Sequence, residues 1–202
     1  MNLPRTTLLL LLATAAAASR ADERFDALRR GAQPLEDLAP FLERYLGRCA
    51  DGVPDSDCER KARELRRKLQ GHVFAVSVAE QTLEIVKVER ARGGYRFLVT
   101  PFIDGGGIAL THGQPRRQDA AGRPLIGLLA MEGALPAGMD ETDLERALRL
   151  GRLELQVVFR PEGTWRLKRG RGPGSYEGVR SRFLGLRLVE SRTGAEIASR
   201  VY

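Results

Sequence analysis

The sequence predicts an α+β fold: an N-terminal helical hairpin followed by a mainly antiparallel β-sandwich or open barrel with one inserted helix. Three observations carry this expectation. Apolar residues recur at helical spacing as far as Gly71, the period shortens to two from His72 onward, and short apolar runs then alternate with turn-forming clusters at hairpin spacing. The organisation that follows is a leader over residues 1–21, a helical segment over 22–71 and a β-rich domain over 72–202.

The leader comes first. Met1 to Thr7 carries one side-chain cation, Arg5, and leads into the apolar run Leu8 to Ala18, after which Ser19-Arg20-Ala21 sets small residues three places and one place before Asp22. That is the pattern of a cleavable export signal, cut after Ala18 or Ala21. A membrane anchor needs roughly 20 apolar residues, whereas this run gives way to Asp22, Glu23 and Arg24. No cysteine ends the run and no twin arginine precedes it, so neither a lipid anchor nor the twin-arginine route is expected. Further on, the most apolar stretch, Leu125 to Leu135, is interrupted by Glu132, so no integral membrane span is expected after cleavage. The mature chain is expected to be periplasmic or secreted.

The helical segment begins with Phe25 and Leu28 before a stop at Gly31, and continues with Leu35, Leu38, Phe41, Leu42, Tyr45 and Leu46, where Pro40 must start a new turn or kink the helix. Ser56 and Glu59 are spaced as a capping box, with Asp57 as a competing cap. Cys58, Ala62, Leu65 and Leu69 then line one helix face, basic residues cover the rest, and Gly71 ends it. Cys49 and Cys58 flank the turn-forming segment Ala50 to Ser56, and an even cysteine count in an exported chain reads as a disulfide. Such a bridge stabilises by roughly 2.5–3 kcal/mol in the chain-entropy model. The spacing is too wide for a Cys-x-x-Cys redox pair.

The β-rich domain reads as strands at Val73–Val78, Thr82–Val88 and Tyr95–Ile103, then Ile108–Thr111 and the apolar run Leu125–Met131. Asp140 caps the inserted helix, which carries Leu144, Ala147 and Leu148 and closes at Gly151. Leu153–Phe159 and Thr164–Leu167 flank an expected turn at Arg160-Pro161-Glu162-Gly163, and Val179–Val189 and Ala195–Tyr202 flank another at Ser191–Gly194.

The 202 residues fit one domain, and 43% hydrophobic with 29% charged residues is enough to build a core. The formal charge of +7 falls to +5 once the leader removes Arg5 and Arg20. Only four of the cations are lysines. Arginine's planar fork suits phosphate and carboxylate, although a GC-rich genome produces the same bias. The basic face of the Ser56 helix lacks interleaved aromatics and is diluted by Glu59 and Glu64, so it reads as a solvated surface. Export also argues against nucleic acid as a partner.

For chemistry, the candidate segment is Asp104 to Asp119, which gathers Asp104, the triple glycine Gly105-Gly106-Gly107, Thr111, His112, Arg116, Arg117 and Asp119. His112 with Asp104 or Asp119 is a candidate general base or metal-assisted set. Against it, no second histidine lies at ligand spacing. Asp104-Gly105-Gly106-Gly107 lacks the Lys-Ser/Thr of a phosphate-binding loop, and no Gly-x-Ser-x-Gly elbow occurs. Asp140, Glu141, Asp143 and Glu145 complement a helix dipole and do not form a catalytic pair. No cofactor and no metal are expected.

Phe41-Leu42-Glu43-Arg44-Tyr45-Leu46-Gly47-Arg48-Cys49, Ala109-Leu110-Thr111-His112-Gly113 with Asp119 to Pro124, and Leu155-Gln156-Val157-Val158-Phe159 together resemble an uncharacterised family of exported bacterial proteins, a domain of unknown function. The likeness runs over nearly all of the mature chain. It implies export and a shared fold, and it supplies no catalytic residues. The expectation is therefore a non-enzymatic envelope or secreted domain that binds an envelope protein or an anionic surface polymer. The alternative is a small hydrolase or metal-assisted enzyme using the His112 loop.

Overall fold

The computed structural model describes residues 23–48, 56–79, 85–91, 94–99, 108–115, 128–168 and 175–202. The expected helical start is helix α1 (residues 23–30). After it come β1 (Gln33–Pro34), α2 (Leu38–Leu46) and α3 (Ser56–Lys68). Asp37 caps α2 by accepting the Ala39 N–H, which puts Pro40 in the first turn, where a missing N–H breaks no helical bond. Gly47 ends α2 in the left-handed region at φ 83°, and a Cβ there would stand 3.0 Å from that of Ala62 on α3. Arg66 of α3 donates to the Tyr45 carbonyl at 2.6 Å, tying the two helices together. Cys58, Ala62, Leu65 and Leu69, the face expected to be apolar, are all shielded from full exposure.

The strands are β2 (Phe74–Ala79), β3 (Ile85–Ala91), β4 (Gly94–Val99), β5 (Ile108–His112), β6 (Leu129–Gly133), β7 (Leu153–Lys168), β8 (Ser175–Glu190) and β9 (Glu196–Val201), with α4 (Glu141–Arg149) between β6 and β7. Asp140 caps α4, as the sequence predicts, and the structure shows that it does so through a reciprocal box with Asp143.

The nine strands are joined in a single open sheet in the order β1-β2-β7-β8-β9-β6-β4-β3, with β5 on β8. Pairing is mostly antiparallel. The exceptions are β1 on β2 and β5 on β8, which run parallel.

One expected turn is corrected. Arg160-Pro161-Glu162-Gly163 does not reverse the chain: β7 runs through it, and the ladder to β8 shifts register between Pro161 and Gly163. A β-bulge needs the same residues as a turn, a proline without a ladder N–H and a glycine at positive φ, here 148°. The guanidinium of Arg180 fastens the bulge by donating to the Glu162 carbonyl at 2.9 Å.

Alternation along β2, β7 and β8 creates two apolar faces. On one, Phe74, Val76, Phe97, Leu155, Phe159, Phe183 and Leu186 join Phe41 and Leu42 of α2 and Leu144 and Ala147 of α4 in the main core. On the other, Phe25 of α1 is fully buried against Val158, Ala75 and Leu184. Gly185 leaves the space for it, since a Cβ there would lie 2.9 Å from the Phe25 ring. Arg187 locks α1 down, with its guanidinium 4.2 Å from the Phe25 ring centroid and an ion pair to Asp26 at 2.8 Å.

Near the other end of β8, Glu177 is buried between Arg48, at 2.7 Å, and Arg166, at 2.8 Å. Burial would push its carboxyl up, but the hydrogen bonds from Arg166 and Arg48 outweigh that and hold it below the usual range.

Candidate functional site

The edge of β8 that faces away from β7 is shared by two strands. β5 covers it from Glu177 to Ser181, running parallel, and β9 covers it from Gly185 to Val189, running antiparallel. Both end where they meet, so the N–H of Phe183 in the gap finds no backbone carbonyl. His112, the last residue of β5, fills the gap: its Nδ1 accepts that N–H at 3.0 Å. The imidazole is therefore neutral, with its proton on Nε2. Its ring lies 5.5 Å from Phe183 and stacks on Tyr202 at 5.0 Å, with the Arg200 guanidinium 4.6 Å from the Tyr202 centroid. Burial lowers its pKa, the charges of Arg200 and Arg182 lower it further, and Glu162 opposes them.

The neighbouring polar groups are equally committed. Buried Thr111 donates to the Gly113 carbonyl at 2.6 Å and accepts the Trp165 indole N–H at 3.0 Å, while Ser181 donates to the Thr111 carbonyl at 2.9 Å. Of the expected catalytic set only His112 is described, because Asp104 and Asp119 lie outside the described residues. Among the described residues no carboxylate hydrogen-bonds to its ring, and no three His, Cys, Asp or Glu are grouped to hold a metal. Cys58 lies in the first turn of α3, and Cys49 is outside the described residues.

A second locus escaped the sequence reading. A cleft of about 250 Å³ opens between the turn before α4, α4 itself, the start of β7 and the β8–β9 turn. Leu144 and Ala147 bury one face of α4, which leaves Asp143 and Arg146 beside the cleft, 3.2 Å apart as an ion pair. Arg152 enters from the residue before β7 and Arg192 from the β8–β9 turn.

The turn is rigidly built. Buried Glu190 accepts both the N–H and the hydroxyl of Thr193 at 2.7 Å, Gly194 donates to the Glu190 carbonyl at 2.8 Å, and Ser191 donates to the Arg152 carbonyl at 2.8 Å. The Thr193 hydroxyl, with backbone N–H groups and the Arg192 charge, lowers the Glu190 pKa against the effect of burial. No sequence signal could have joined Arg146, Arg152 and Arg192, because each belongs to a different element and only the fold brings them to one cleft.

A family profile described as "Family of unknown function (DUF6066)" matches residues 1–200. The chain belongs to that family. No curated protein and no solved structure is matched by it. Among the described residues no helix is long and apolar enough to cross a membrane.

Proposed function

We propose that this chain is a non-enzymatic binding domain of the bacterial envelope or extracellular space, exported by its leader and braced by a Cys49–Cys58 bridge that closes α2 and α3 into a hairpin. The carrying observation is a contrast between two loci. The described part of the His112 loop spends the His112 Nδ1 lone pair and the Thr111 hydroxyl on the fold, whereas the arginine-lined cleft is open and holds two guanidinium groups with no hydrogen bond or ion pair among the described residues. The absence of a free cysteine among the described residues supports the bridge.

The enzyme alternative, His112 with Asp104 or Asp119, has weaker support, because a general base must offer a lone pair and the Nδ1 lone pair of His112 is occupied.

The test has two parts. Intact mass of protein recovered from a bacterial host carrying the full gene is expected to show the leader removed and two hydrogens missing, the mark of one disulfide. Co-sedimentation with insoluble envelope polymer, at salt near 0.15 M on the order of physiological ionic strength, is expected to retain the mature chain. A leader still attached with both thiols alkylatable, or no retention on any envelope fraction, overturns the proposal.

A further inference from the structure

We infer that the cleft between α4 and the β8–β9 turn binds a singly charged oxyanion, a phosphodiester or carboxylate group of a larger ligand, with Arg152 and Arg192 as its principal contacts. The inference rests on the binding reading above and gives it a ligand class. Its basis is the distribution of charge. Arg146 is neutralised by Asp143, and Glu190 faces inward to Thr193. Arg152 and Arg192 carry no hydrogen bond or ion pair from their side chains among the described residues. Counting all five groups that line the cleft, three cations against two carboxylates leave one positive charge. A monoanion balances it, whereas a dianion such as a phosphomonoester does not.

The geometry is prepared in advance. The Arg152 carbonyl takes the Ser191 N–H at 2.8 Å and the Arg152 N–H goes to the Ala147 carbonyl at 2.9 Å, so the backbones that carry the two arginines are joined to each other and to α4. The backbones are fixed in advance, so the ligand has only the two arginine side chains left to order. A concave wall also concentrates the field of the two cations relative to a flat surface. About 250 Å³ gives room for one headgroup or one sugar acid, with the rest of a larger ligand lying outside the cleft.

The experiment is a titration of the ¹⁵N-labelled mature chain, followed through arginine side-chain resonances, with two soluble probes: glycerophosphoglycerol, a phosphodiester, and trigalacturonate, a carboxylate. Saturable shifts at Arg152 and Arg192 are expected with at least one probe, and the probe that binds identifies the source of the oxyanion. Arg152→Gln and Arg192→Gln are each expected to weaken that binding by about fivefold, the effect of one charge-assisted hydrogen bond at a partly solvated site. Arg67→Gln on α3 is expected to leave it unchanged. Both cleft side chains are exposed, so the variants should fold, and if Arg152→Gln melts early, Arg192→Gln decides alone. Absence of saturable shifts at both arginines, or equal weakening by Arg67→Gln, overturns the site. Undiminished retention of the Arg152→Gln/Arg192→Gln double variant on envelope polymer also removes the cleft assignment, while the binding reading stands.

Discussion

His112→Ala separates a structural histidine from a catalytic one. In the folded chain His112 supplies the acceptor that the Phe183 N–H lacks at the junction of β5 and β9, and its ring stacks on Tyr202. Alanine removes both. An unpaired, part-buried N–H costs about 1–2 kcal/mol at the lower end of the usual range, because water reaches this exposed residue. Lost ring contacts add about 0.5–1 kcal/mol. The sum, about 2 kcal/mol, corresponds to a fall in Tm of roughly 4–8 °C for a chain of this size.

Burial lowers the pKa of His112, so the unfolded chain binds protons more tightly there. Its contribution is complete above the unfolded value of about 6.5 and is lost as pH falls below that toward the lower folded value. Thermal and urea unfolding at several pH values between about 7.5 and 5 should therefore show wild-type stability declining with acid over this window. In His112→Ala that component should vanish. A variant that melts within a degree of wild type, with an unaltered pH slope, would refute the structural reading and return His112 to the list of catalytic candidates.

Three further outcomes are expected. Gly178→Ala should destabilise by about 2–3 kcal/mol and alter the Trp165 fluorescence, because the new methyl would lie 2.5 Å from the indole and 2.3 Å from the Ala109 carbonyl. A variant as stable as wild type, with an unchanged spectrum, would refute this close approach of Gly178 to the indole and the Ala109 carbonyl. Glu177→Gln should cost about 1–2 kcal/mol by urea unfolding, discounted because Arg166 is 70% exposed. Since the Glu177 pKa is lowered in the fold, that contribution is present above the unfolded value of about 4.3 and disappears as pH falls through the folded value, so wild type and variant should converge in acid. Phe25→Ala should cost about 3–5 kcal/mol and accelerate amide exchange across β2 and the middle of β7, since Phe25 is wholly buried there against Ala75 and Val158.

Much of the element list was legible because local rules govern it. The stop at Gly31, the cap at Asp140 and the strand at Val73 to Val78 need only neighbouring residues, and they reappear at the ends of α1 and α4 and in β2. Pairing was not legible. Arg160 to Gly163 satisfies the local chemistry of a turn and of a bulge equally, and only the long ladder with β8 selects the bulge. Similarly, β5 looks like any other short apolar strand, and its parallel docking on half of one edge of β8 cannot be inferred from five residues.

The same division separates the two loci. From the sequence alone came the mixed α+β class, the positions of the described helices and of most strands, and the singling out of His112 as a residue to explain. Tertiary structure decided what His112 does, by ending two strands on either side of one N–H, and it assembled the arginine cleft from three elements. The physical reason is range. Capping and periodicity act within a turn of helix or a few residues of strand, whereas strand partners and convergent charges depend on contacts between segments that are remote along the chain.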